Sequence, residues 1–287
     1  MNLLVVQRCA VVLLVFFLSS CGLVRTGYDQ LDTLAYWWMD RYLDFNDSQK
    51  REVKADLKAW HAWHRSTQLP AYADFLGELQ QMAKGDVSPP AACDAIVKAR
   101  DQFEALVLQT SPQAAALALS LEPANLKHLR KKFVEEDKKW REKWLDVSAK
   151  ELAEDRFDEW SNRSEFFYGR LSAAQKQAIR EAIARSALDP KVSWMLRQRR
   201  QEDILATLEK IRKNKPSPTL AEAEIRALME RALHPDDPVG AEMRRNLFNE
   251  ACANSAAMHK LSTPTQRKRA EEKLAELEQD FRTLAAR

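Results

Sequence analysis

Three groups of residues have the types and spacing for chemistry. His61 and His64 stand one helical turn apart, flanked by Trp60, Trp63 and Arg65. Two imidazoles at that spacing face one metal only if a third ligand joins them. The nearest acid on a similar face is Asp56, about two turns before His64, and no His-Glu-x-x-His occurs. No metal is expected. The chemistry that suits the segment is recognition, with Arg65 pairing a carboxylate or phosphate beside a Trp63 ring. Trp63, His64, Arg65 and Tyr72 are the candidate binding residues. In the competing reading the tryptophans pack, and His64 and Arg65 bond the loop at Gln68 or nearby carbonyls. The second group is Cys93 and Cys252. A bridge would close a loop of 159 residues, about 5 kcal/mol in the chain-entropy model. Two buried free thiols remain open as the alternative. The third group is nucleophiles. Gly-x-Ser-x-Gly is missing, Ser172, Ser193 and Ser262 lack a partner base, and His259, seven residues past Cys252, reads as a surface residue. No glycine loop for phosphate occurs either. No cofactor and no catalytic role are expected.

A fourth cysteine carries a different chemistry. Residues 1–20 hold one charge, Arg8, and an apolar run from Cys9 to Leu18. That length fits the core of a secretory signal and is short for a bilayer span, which needs about 20 residues. Leu18-Ser19-Ser20-Cys21-Gly22 follows. It resembles the lipobox of bacterial lipoproteins, in which cleavage before the cysteine precedes acylation of its thiol and amine. The resemblance implies lipidation at Cys21, with each buried CH₂ contributing about 0.8 kcal/mol of membrane hold. Gly22 after the cysteine implies the outer membrane, with the protein facing the periplasm. The expected division is a signal peptide at 1–20, a lipidated tether at 21–27 and a periplasmic domain at 28–287.

Loss of Arg8 takes the net charge from +3 to +2, nearly balanced among 45 basic and 42 acidic residues. Such a chain has no electrostatic footprint for nucleic acid. Arg130-Lys131-Lys132, Arg197-Gln198-Arg199-Arg200 and Arg267-Lys268-Arg269 have acids a turn away (Glu135, Glu202, Glu271), which reads as solvated helix faces.

These groups must be positioned by helices. Glycines number six, about 2% against a usual 7%. No proline interrupts 124–189, a stretch rich in good helix formers. The expected fold is all-α, an elongated bundle of about ten helices. The first, 28–45, carries an apolar stripe of Leu31, Leu34, Trp38, Tyr42 and Phe45 with Trp37 beside it, facing the core or a membrane surface. A second runs over 46–66 and is broken at Gln68-Leu69-Pro70. The longest spans 123–161, with Asn162-Arg163-Ser164 as a kink or a short turn. Subdivision is possible near 121 and in 214–219. One local pattern recurs at Asn46/Gln49, Ser172/Gln175 and Thr263/Gln266, and more loosely at Glu122/Asn125. Each is a capping box, expected to start a helix and do nothing more.

The chain resembles a family of uncharacterised Gram-negative lipoproteins. The residues concerned are Cys21 with Tyr28, the run from Trp63 through Pro70 to Tyr72, and Leu261-Ser262-Thr263-Pro264-Thr265-Gln266-Arg267 with Asp280, Phe281 and Leu284. That family brings no activity. The helix starts are also similar to those of small helical periplasmic chaperones. The expected function is a non-catalytic interaction, scaffolding or chaperone-like module, with the membrane and an envelope protein as partners. The alternative is a ligand-binding or enzymatic domain with a polar site near His64 and Arg65.

Overall fold

The computed structural model describes residues 21–287, with side chains from Arg25 onward. The expected signal, 1–20, and the Cys21 side chain lie outside what is described. Among the described residues there are thirteen α-helices and no strand. They are α1 (Cys21–Asp29), α2 (Leu31–Leu43), α3 (Asp47–Trp63), α4 (Leu69–Lys84), α5 (Pro89–Gln109), α6 (Ser111–Ser120), α7 (Pro123–Trp144), α8 (Ala149–Tyr168), α9 (Ala173–Ala184), α10 (Pro190–Asn214), α11 (Pro218–Leu233), α12 (Pro238–Lys260) and α13 (Pro264–Ala285).

Proline begins helices in this chain. It occupies the first turn of α4, α5, α6, α7 and α10 through α13. There its missing N–H leaves no intrahelical bond unmade. Side chains of Ser88, Asp189, Ser217, Asp237 and Thr263 accept from the orphan backbone N–H groups that follow. Gly169 ends α8 at φ +71, in the left-handed region that favours glycine.

The chain folds back over itself. Helix α13 lies along α4, α12 against α5, and α11 against α6, as nested pairs. Cys93 of α5 is joined to Cys252 of α12, with Cα atoms 4.9 Å apart. Ala115 and Ala118 of α6 pack against Ile211 of α10 and Ile225 of α11. This cluster draws residues from both sides of 121 and of 214–219.

The four capping boxes do more than start helices. The Gln49 and Asn125 amides bond each other reciprocally, at 3.1 and 3.3 Å. Gln175 and Gln266 do the same at 3.2 and 3.0 Å. Each amide oxygen also accepts from the backbone N–H of its own cap. Asn125 additionally donates to the carbonyls of Leu43 and Asp44. The starts of α3 and α7 are thereby fixed to one another, as are those of α9 and α13. Gln49, Asn125 and Gln175 are all buried, which their full set of partners makes tolerable.

Several expectations need correction. Segment 21–27 is helical, because its continuation is fastened to the body through Arg25, Tyr28 and Asp29. The helix expected over 28–45 is interrupted at Gln30. In α2 it is Tyr36 that is buried, packing with Phe45 and Val53, while Leu34, Trp37 and Trp38 face out. Pro70 does not end the helical path. A single π-helical turn, His64–Gln68, carries the backbone from α3 into α4. Thr67 Oγ donates to the Trp63 carbonyl at 2.7 Å, taking up an acceptor where the usual ladder is disturbed. The long helix breaks at 145–148, where Ser148 and Glu151 form a capping box, and runs through Asn162-Arg163-Ser164 without a kink.

Candidate functional site

The candidate binding residues meet where α1 crosses the π-turn. That turn sets His64 inward: its ring lies 5.0 Å from Trp60, 5.6 Å edge-on from Tyr72 and 5.8 Å from Tyr28. The Tyr28 hydroxyl is 2.8 Å from His64 Nδ1. His61, one turn earlier, lies 4.7 Å from the same tyrosine ring. Arg65 bonds Asp29 at 2.8 Å and covers the Tyr28 ring at 5.4 Å. Asp29 also accepts from Arg287 at 2.9 Å, and Arg25 bonds the buried Asp280 of α13. Helix α1 is thus clasped to α3, to the π-turn and to the C-terminal end of the chain.

Burial sets the protonation states. It lowers His64 to a pKa of about 4, with His61 adding to the effect. It lowers His61 as well, aided by the Arg65 charge. Burial raises the Tyr28 hydroxyl, and pushes Tyr72 up to about 12. The bond between Tyr28 and His64 Nδ1 therefore joins a neutral tyrosine to a neutral imidazole. Among the described residues, Trp60 Nε1 and His61 Nε2 are buried without a hydrogen-bond partner.

Arg65 turns to Tyr28 and Asp29 and does not share a platform with Trp63, which is half-buried outside the cluster. His64 bonds Tyr28 rather than the carbonyls near Gln68. The cluster is filled by its own rings. Clefts of about 410 Å³ beside Asp137, Arg141 and Trp194, and of about 350 Å³ beside Arg156, Phe157 and Arg180, lie elsewhere. Among the described residues no group of three His, Cys, Asp or Glu is placed to hold a metal ion. Among them also, no helix is long and apolar enough to cross a membrane.

Other sequence candidates resolve into structural roles. His259 is buried, not superficial: Nε2 donates to the Gly85 carbonyl at 2.8 Å, so Nδ1 accepts from Tyr168 at 3.0 Å. Ser172 is a helix cap, and Ser262 donates to the His259 carbonyl. The basic clusters are paired, Lys132 with Glu135, Arg197 with Asp137 and Arg267 with Asp86. Arg197 does not use Glu202. Its buried guanidinium reaches across to Asp137, which also accepts from Gln198 and Gln201 at 2.8 Å. Asp137, which interrupts the apolar stripe of α7, is thereby accounted for. The participants that sequence patterns miss are Asp29, Asp280 and Arg287, because their partners lie 36 to 258 residues away.

No curated protein and no solved structure matches this chain. Residues 41–238 match a family of unknown function, DUF6279. That span includes His61, His64, Arg65 and Tyr72, and leaves α1, Cys252 and α13 outside it. Since it covers well over half of the sequence, the chain belongs to that family of unknown function.

Proposed function

We propose that this chain is a lipoprotein of the cell envelope, anchored through acyl chains on Cys21 to the outer membrane and facing the periplasm. Its helical body serves as a non-catalytic interaction or scaffolding module. The observation that carries this reading is the run Leu18-Ser19-Ser20-Cys21, which resembles a lipobox and is followed at once by a helix clasped to the body. An anchor so joined transmits position to the whole bundle. The Cys93–Cys252 bridge suits an oxidising compartment. The closed packing around His64 supports a structural use of the cluster over a ligand pocket.

Two experiments test the two halves. The Cys21→Ala chain should persist as the larger precursor and take up no palmitate in growing cells, and normal labelling refutes the anchor. In-cell crosslinking of the wild type, read by mass spectrometry, should return one recurrent envelope protein. Recovery of lipid adducts alone, at crosslinkers spread over every face of the bundle, refutes the module.

A further inference from the structure

Helix α2 carries an apolar face that the bundle does not use. Leu34, Trp37 and Trp38 are 43%, 65% and 44% exposed. Their spacing of three and four puts them on one side of the helix, bounded a turn later by Arg41, which pairs with Glu136 of α7 at 3.2 Å. The opposite side is the one that packs, through Tyr36 against Phe45. The other large exposed hydrophobics, Val134, Leu220, Val239 and Leu261, are scattered singly over α7, α11, α12 and its end. Only at α2, among the described residues, do three large ones adjoin.

We infer that this face seats at the headgroup level of the phospholipid bilayer beside the anchor, a step that rests on the reading of Cys21 as lipidated. Position is the first support. From Cys21 to Leu34 the chain is helical apart from Gln30, a path of at most about 20 Å. The bonds from Arg25, Tyr28 and Asp29 to the body prevent that path from behaving as a swinging linker. Acyl chains entering the leaflet at Cys21 therefore bring α2 to the surface with them. Chemistry is the second. Tryptophan combines a large apolar ring with an N–H donor and collects at membrane–water interfaces. Trp38 is braced against Tyr42 at 4.9 Å, so it stands outward as a supported ring. Area is the third. The exposed parts of the three side chains come to the order of 300 Å², well short of the roughly 800 Å² per partner of a stable protein interface. A patch of this size suits an accessory contact added to a covalent anchor.

The test uses the full lipidated protein in vesicles of phosphatidylethanolamine with a minority of phosphatidylglycerol. With Cys21 acylated and Cys93 bridged to Cys252, a Trp37→Cys substitution supplies the one reactive thiol for a nitroxide. Val134→Cys on α7, at a position 70% exposed, serves as the control. The label at 37 should be reached by lipid-soluble oxygen and shielded from a water-soluble nickel chelate, with the control label the reverse. Equal nickel access at both positions, in protein that stays with the vesicles, overturns the seating and leaves the anchor standing. Spin–spin broadening between labels at 37 would put a second copy over the face and also overturns it. Protein whose Cys21 bears no acyl chain overturns the anchor and this inference together.

Discussion

His64 offers the sharpest perturbation, because acid should loosen the clasp that holds α1. Its imidazole ordinarily titrates near 6.5 and is lowered to about 4 by burial. The folded protein therefore resists a proton that the unfolded chain accepts. Nothing is lost above about pH 7, where both states are neutral, and the loss grows as pH falls below 6.5 and levels off below 4. With those two values the linkage gives about 2 kcal/mol lost by pH 5 and about 3 kcal/mol by pH 4. A proton on Nδ1 would also face the Tyr28 hydroxyl, which could then only accept. The His64→Gln variant removes the titration while keeping a polar side chain. It should be less stable than wild type near pH 7, by about 1–3 kcal/mol for the disturbed hydrogen bond and packing. Its disadvantage should then shrink steadily toward pH 5. Urea unfolding of both proteins at a series of pH values, in one detergent, measures this. Hydrogen exchange should place the acid-induced loosening in α1. Parallel stability-against-pH curves for the two proteins would refute the reasoning, since carboxylates and the other histidines are common to both.

Further outcomes follow from individual contacts. Asp137→Ala leaves the Arg197 guanidinium buried without its carboxylate, and should cost about 3–5 kcal/mol in denaturant unfolding. A cost below about 1 kcal/mol would show that Arg197 finds another partner. Gln175→Ala removes both a cap and half of a reciprocal amide pair, so a loss of about 2–3 kcal/mol is expected. Gln266→Ala should add little on top of it, and full additivity in a double-mutant cycle would contradict the pairing. Replacing Cys93 and Cys252 by serine should destabilise the fold by up to the roughly 5 kcal/mol of the chain-entropy model and so lower its melting temperature. Calorimetry showing no change would remove the bridge from the account.

Helical periodicity and capping chemistry carried the reading of the fold as far as local signals reach. The box at Asn46 and Gln49 announces the start of α3, because both halves of the bond lie within four residues. The same code at Ser148 and Glu151 was equally legible, but the apolar stripe through Trp140 and Trp144 obscured it. Which side of α2 is buried was not legible. Its aromatic and aliphatic residues lie around most of the helix, and only the position of Phe45 after the left-handed turn at Asp44 selects Tyr36. Pro70 is legible as a first-turn proline and stands there in α4, whereas the π-turn at His64–Gln68, which joins α3 to α4 without a break, has no local signal. At the candidate site, the grouping of His64 and Arg65 on one helical turn was readable from the sequence. Their partners were not, since Tyr28, Asp29 and Arg287 are brought in by the crossing of α1 and by the return of the chain end.

The central claim is that acyl chains on Cys21 hold a rigidly clasped bundle to a membrane. Mass spectrometry of the amino-terminal peptide of the protein purified from its native membranes tests it most directly. The account requires a chain that begins at Cys21 and carries the added mass of a diacylglycerol thioether and an amide-linked acyl group. A peptide that begins at Met1, or one that begins at an unmodified Cys21, contradicts it.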